Sequence, residues 1–391
     1  EIGRHRGLMM PDFESILLRQ MGESPEQLSL DEGLILYNEA PLNDLMYVAN
    51  HRRSTQVPGN IVTYLVDRNI NYTNVCTINC HFCSFYRPPG HHENYTQNVD
   101  QISDRITELE EIGGTRILMQ GGVNPDLDFE WYTDLIEELS SRHPKISLDC
   151  FSPIEIEGIA EVSGKTTKSV LSDLKDAGMH GLPGGGAEML VDQVREGISP
   201  LKGSSDNWLR VMGEAQELGL VTSATNVIGF GETALQRLEH MESIRSLQQE
   251  SKSRGFEGFT SFISWPVMLE NNTFGKMNKG ANRVELGAGS AEYLRHVAVS
   301  RLFLNNIDHI QSSWPTMGMA IAQIALNAGA DDIGSTMMEE NVVSASGTSK
   351  TEASVSELRR SIIEAGFIPA ERDSEYNILK QFKSIQSESV V

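Results

Sequence analysis

Cys76, Cys80 and Cys83 are the residues in this chain whose type and spacing most directly imply chemistry. Thiolates are soft ligands suited to iron-sulfur clusters and zinc, and a cubane cluster needs several of them converging from a short loop. Gaps of three and then two residues let one loop reach three corners of a [4Fe-4S] cube, leaving the fourth iron without a protein ligand. Zinc would need a closed tetrahedral set, and only His81, His91 and His92 stand near enough in sequence to complete one. A disulfide lacks its usual setting, because nothing marks the chain as secreted. The fourth cysteine, Cys150, ends an apolar run and reads as a small buried core residue with no ligand role.

A loop of this kind must be carried by a scaffold, and the sequence supplies an alternating one. Strand candidates are Ile61 to Val66, Arg116 to Gln120, Ile146 to Phe151, a short one near Gly181, Val221 to Ile228, Phe259 to Trp265, His309 to Trp314 and Asp332 to Met337. Helical patterns lie between most of them, among them Gln101 to Ile112, Trp131 to Ser141, Asn207 to Leu218 and Ala234 to Gln249. Eight strands with intervening helices predict a parallel sheet closed into a barrel, with an open doubly wound sheet as the alternative. We expect a helical extension over 1–55, a barrel domain over 56–383 and a disordered tail over 384–391. The cysteine loop then falls just past the first strand, at the carboxyl-terminal mouth where barrel enzymes keep their active sites. Glycine runs follow other strands on the same rim, at Gly121-Gly122, Gly184-Gly185-Gly186 and Gly229-Phe230-Gly231. Each alone suits a tight turn as well as a ligand; three beside a cluster loop favour a bound small molecule.

Composition excludes some functions. The net charge of −22 argues against a nucleic-acid partner, which would call for clustered Lys and Arg. No apolar run approaches the roughly 20 residues of a membrane span, and Glu1 to Pro11 lacks the apolar core of a signal peptide. A cytoplasmic protein with no membrane partner is expected.

Cys76-x3-Cys80-x2-Cys83, with Phe82 before the last cysteine, resembles the signature loop of the radical S-adenosylmethionine (SAM) enzymes. The resemblance implies a [4Fe-4S] cluster held by Cys76, Cys80 and Cys83, SAM on the open iron and a 5'-deoxyadenosyl radical as the working species. It further implies Phe82 near the adenine, Gln120, Gly121 and Gly122 facing the methionyl amine, and Asn226, Ile228 and Gly229 along the ribose or adenine side. Within the superfamily, Asn71 to Arg87, Leu182 to Glu188, Ile310 to Trp314 and Gly334 to Ser344 are similar to the cyclic dehypoxanthinyl futalosine synthases of menaquinone biosynthesis. That similarity implies conversion of dehypoxanthine futalosine by removal of the ribose C4' hydrogen and ring closure onto the benzoate. Aminofutalosine synthase and the enzymes that build the deazaflavin FO share much of the pattern and are the alternatives. His180-Gly181 departs from it, where an acidic residue and a serine are expected.

Such a reaction needs a one-electron reductant such as flavodoxin or ferredoxin, and a base to take a proton. Glu188, Gln311 and Ser313 are the catalytic candidates at strand ends, with Glu232, His309 and Glu339 as further ionisable groups. Glu188 and Glu232 read first as carboxylates favoured at helix amino termini, ahead of a catalytic role. Arg87 suits the benzoate carboxylate or a rim ion pair, and Trp265 and Trp314 suit the aromatic ring or plain packing. A non-enzymatic iron-sulfur protein is the reading from another class; it expects a fourth cysteine ligand and no rim of glycine turns, and the sequence has the opposite.

Overall fold

The computed structural model describes residues 11–280, 286–348 and 350–382. The reading of residues 1–10 and of the tail 384–391 lies outside these.

Eleven strands form one sheet: β1 (Ile61–Leu65), β2 (Asp67–Ile70), β3 (Arg116–Met119), β4 (Ser147–Cys150), β5 (Gly181–Leu182), β6 (Val221–Ile228), β7 (Phe259–Pro266), β8 (His309–Gln311), β9 (Asp332–Ser335), β10 (Ile368–Arg372) and β11 (Ile378–Gln381). Neighbours run β11-β10-β1-β9-β8-β7-β6-β5-β4-β3-β2, and every pairing is parallel except β10 with β11. The ends of the β1-to-β2 series meet, because β1 and β2 are halves of one run separated by Val66. The first half pairs with β9 at Thr63 and Asp332, the second with β3 from Asp67 and Arg116, and Arg68 bridges to Met338 beyond β9. That run and the seven strands β3 to β9 make the eight-stranded parallel barrel expected from the sequence. β10 and β11, which the sequence reading did not anticipate, add a hairpin outside the eight, with β10 lying along β1.

Among the described residues three helices precede the barrel: α1 (Phe13–Gln20), α2 (Leu30–Glu39) and α3 (Leu42–Gln56). Ser29 and Glu32 form a reciprocal capping box that starts α2. α2 packs on the helix Ala234–Ser253, and α3 on the helix Ser290–Phe303. Similar boxes, Asn98 with Gln101 and Thr233 with Gln236, start the helices after β2 and β6. Apolar helix faces close on the outside of the sheet in one core that includes Ile102, Ile106, Leu135, Leu171 and Met241. The barrel interior is different: small and polar side chains, among them Asn69, Thr222, Thr225 and Ser261, leave a cavity of about 400 Å³. Among the described residues no helix is long and apolar enough to cross a membrane.

Candidate active site

The cysteine loop leaves the barrel immediately after β2 and is tied off at its base. Cys76 N donates to Arg87 O at 2.9 Å, and Arg87 N donates to Asn74 O at 2.7 Å. Arg87 Nη1 donates to the carbonyls of Ser84, Phe85 and Tyr86, while its Nε pairs with Glu93 at 2.6 Å. The guanidinium thus gathers the end of the loop and does not line the cavity, so it is not placed to meet a substrate carboxylate. His81 N donates to Ile198 O and its carbonyl accepts from Phe274 N, which pins the middle of the loop to two neighbouring segments. Asn79 adopts φ +56°, a left-handed conformation that asparagine tolerates.

Cys76, Cys80 and Cys83 are free thiols that all line the cavity, while Cys150 is fully buried in the core. Burial pushes the Cys83 thiol up to about 11 and also raises Cys76. Ligation requires thiolates, so a metal centre must displace these protons with its own charge. Among the described residues no group of three His, Cys, Asp or Glu side chains is arranged to hold a metal ion. A cubane gives each cysteine its own iron corner, and three soft donors from one loop fit that demand.

The strand-end turns pack tightly around the loop. A Cβ added to Gly122 would lie 2.6 Å from the Cβ of Cys76, so only glycine allows the turn after β3 to touch the cysteine loop. Gly121 N donates to Glu155 Oε1 at 2.9 Å. Glu155 also accepts from Tyr72 Oη at 2.9 Å and Ser152 Oγ at 2.6 Å. Burial pushes this carboxyl up to about 7 against the pull of those three donors. Gln120 is held by Nε2 to Phe151 O and by its own carbonyl to Asn71, both 3.0 Å, and faces the cavity. Phe82 stands edge-on to Phe230 at 5.3 Å, with the Lys202 ammonium 5.2 Å from its ring centre.

Glu188 also lines the cavity, at φ +39°, paired with Lys202 Nζ at 2.8 Å. Burial works against the Lys202 charge, but Cys80 and Glu188 outweigh it and raise its pKa. Gln311, Ser313, Trp265 and Trp314 line the cavity too. Ser313 Oγ shares a hydrogen bond with Thr316 at 2.9 Å, and Trp314 Nε1 donates to Ser335 O at 3.0 Å.

Other candidates lie elsewhere. The Asn226 side chain is fully buried and bonded to His296 at 3.1 Å, Ile228 is fully buried, and Gly229 abuts Gly287; none lines the cavity. Thr225 and Val227, the alternate positions of β6, do. Glu232 accepts from Gly229 N and Phe230 N and pairs with Arg237, which makes it a brace for the turn after β6. Glu339 pairs with Arg68 and Arg105 outside the cavity. His309 is the first residue of β8, so it sits at the end of the barrel opposite the cysteine loop, stacked on Tyr376 at 3.9 Å.

Glu155, Lys202, Arg116, Asp149 and Arg372 line the cavity without having been singled out from the sequence. Ser152-Pro153-Ile154-Glu155 follows a strand and opens a helix, which is a readable signal for Glu155. Lys202 lies in a short irregular loop, and no periodicity marks it.

Residues 70–244 match the radical SAM superfamily, and residues 256–385 match the CofH/MqnC C-terminal region. A cyclic dehypoxanthine futalosine synthase of Halalkalibacterium halodurans is 42% identical over 358 residues, 92% of this chain and 93% of its own length. The chain belongs to the radical SAM superfamily. A protein of the same name from Streptomyces coelicolor is 37% identical, over 90% of this chain and 86% of that one. The 5-amino-6-(D-ribitylamino)uracil–L-tyrosine 4-hydroxyphenyl transferase of Archaeoglobus fulgidus is 36% identical over 83% of this chain and 90% of its own length. In three dimensions the fold is similar to the hydrogenase maturase HydG of Carboxydothermus hydrogenoformans, with a TM-score of 0.71 at 17% identity, over 93% of this chain and 80% of that one. It is also similar to methylornithine synthase, PylB, with a TM-score of 0.68 at 15% identity, over 92% and 97%. As a radical SAM protein the chain is an enzyme whose cofactors are a [4Fe-4S] cluster and SAM.

Proposed function

We propose that this radical SAM enzyme converts dehypoxanthine futalosine to cyclic dehypoxanthinyl futalosine. The observation that carries the reading is 42% identity, along nearly the whole of both chains, to a protein named for that product. In this reading Cys76, Cys80 and Cys83 hold the cluster, and Phe82 and the Gln120-Gly121-Gly122 turn border the SAM. When bound, the cluster and SAM supply the 5'-deoxyadenosyl radical that removes the C4' hydrogen of the sugar. The substrate radical would then close on the benzoate ring, and restoring aromaticity would release one proton and one electron, for which a bound cluster would be the acceptor.

The chain's own part is to orient and enclose. Gln311 and Ser313 offer hydrogen bonds to the sugar from the rim, while Trp265 offers a flat apolar surface for the ring and the buried Trp314 packs behind it. Glu188, fixed by Lys202, adds a carboxylate to the lining of the cavity. The barrel domain and its helical extension act in the cytoplasm in this reading, with a flavodoxin or ferredoxin as reductant. Anaerobic assay of the cluster-loaded enzyme with dehypoxanthine futalosine deuterated at C4' tests it. The label should appear in 5'-deoxyadenosine together with cyclised product. Turnover only with tyrosine and a ribitylaminouracil, favoured by the 36% identity to a transferase with those names, would replace the reading.

A further inference from the structure

Below the reaction mouth the cavity continues through the barrel to a charged floor lined by Arg116, Asp149, Arg372, Ser374 and Tyr376. Asp149, on β4, is 5% exposed and points one oxygen toward Arg116 at 3.6 Å. Its other oxygen lies 3.3 Å from His180 Nδ1. On the far side of the same imidazole, Nε2 lies 3.1 Å from Glu375 Oε1. Side-chain exposure rises along this line, from 7% at Asp149 to 34% at His180 and 53% at Glu375. One hydrogen-bonded chain therefore runs from the buried cavity to the solvent at the amino-terminal end of the barrel.

The arrangement is built for this place. A Cβ on Gly181 would come within 2.5 Å of Asp149 Oδ1, so His180-Gly181 provides both the partner for Asp149 and the space it occupies. Glu375 is held in a tight turn, with Asp373 Oδ1 accepting from Glu375 N and Asn377 N, both at 2.9 Å. Tyr376 beside it takes φ +67°, an unusual conformation for a bulky residue, and is clasped between His309 at 3.9 Å and the Arg372 guanidinium at 3.8 Å. The groups facing His180 are Asp149 from β4, with Arg116 of β3 behind it, and Ser374 and Glu375 after β10.

We propose that Asp149, His180 and Glu375 form a proton exit from the cavity through the floor of the barrel, an inference that rests on the cyclase reading because that reaction must lose a proton. The proton released as the ring regains aromaticity passes to the Asp149 carboxylate. His180 gives its Nε2 proton to Glu375 and takes the Asp149 proton on Nδ1. Glu375 gives its proton to bulk water, so one proton enters and one leaves. The electron would leave separately, with a bound cluster as its acceptor.

The test uses the full, cluster-loaded chain with dehypoxanthine futalosine, comparing wild type with His180→Gln and Glu375→Gln. Glutamine at 180 keeps hydrogen-bonding capacity and cannot relay a proton. We expect His180→Gln to retain iron and SAM binding yet to lower cyclised product at least about tenfold, a modest share of what positioned proton transfer contributes. Product per 5'-deoxyadenosine should fall, because hydrogen abstraction precedes proton loss, and the solvent deuterium isotope effect on product should rise. Glu375→Gln should shift both readouts in the same direction. Variants with the wild-type rate, pH profile and isotope effect would overturn the relay alone, as would equal loss of product and 5'-deoxyadenosine alongside iron loss. A wild type that makes no cyclised product would overturn both the reading and the relay.

Discussion

Gly122 shows how a residue without a side chain can shape a neighbouring loop: its missing Cβ lets the turn after β3 lie against Cys76. Gly122→Ala should therefore push the cysteine loop outward and cut iron content well below four per chain, measured after anaerobic reconstitution. Cys80→Ala should lose the cluster, whereas Cys150→Ala should keep it and destabilise the fold by about 1 kcal/mol, an ordinary core substitution. A Cys150 variant without iron would unseat the three-cysteine assignment. At this scale the cysteines were legible because their ligand pattern is local in sequence. The contacts of β6 were not. Parallel strands buried on both faces lack a polar-apolar alternation to fix their phase, so Asn226 and Ile228 could not be told from Thr225 and Val227, which face the cavity. Lys202 and Asp149 became visible only through partners distant in the chain.

Arg87 works at the level of the element, drawing three consecutive carbonyls of the cysteine loop onto one guanidinium. Arg87→Leu should leave the barrel folded and raise the amide exchange rates of residues 84–86, read by hydrogen exchange. Unchanged exchange would show that the loop holds itself. The floor gives a second element-scale prediction. Hydrogen bonding to Asp149 raises the His180 pKa above its ordinary 6.5, with burial opposing. A raised pKa means the folded state holds this proton more tightly, so the stability it confers is present in full below 6.5 and disappears as pH rises through the raised value. The melting-temperature advantage of wild type over His180→Gln should shrink steadily from pH 6.5 upward, and a constant gap would contradict the assignment. Each barrel strand was readable at least in part from the sequence, but the first candidate stopped at Val66 and left out β2, whose Asp67-Arg68-Asn69 is polar. The hairpin of β10 and β11 was not readable, because Ile368-Pro-Ala-Glu-Arg372 carries a proline and two charges, and Ile378–Gln381 is exposed along its whole length, with no buried face to set a pattern. Its pairing with β1 depends on the far end of the barrel, which no local pattern encodes.

The whole molecule carries 54 acidic against 32 basic residues, a formal charge of −22. Self-repulsion of that size opposes the compact state, and added salt screens it. Thermal melts should shift upward as sodium chloride rises from about 10 mM, where the Debye length is about 30 Å, to about 1 M, where it is about 3 Å. A melting temperature independent of salt would mean that the acidic groups are already neutralised by their neighbours. The barrel as a closed object has a further consequence that begins with its first strand. Residues 61–70 are synthesised well before their partners at Asp332 and Ile368–Arg372. Closure between such distant segments is slow. The ribosome must deliver most of the polypeptide before the seam can shut, while the thiols that follow β2 are already outside. For that interval the cysteine loop stands outside any closed chamber, so a cluster placed on it then would be in position before the chamber is enclosed.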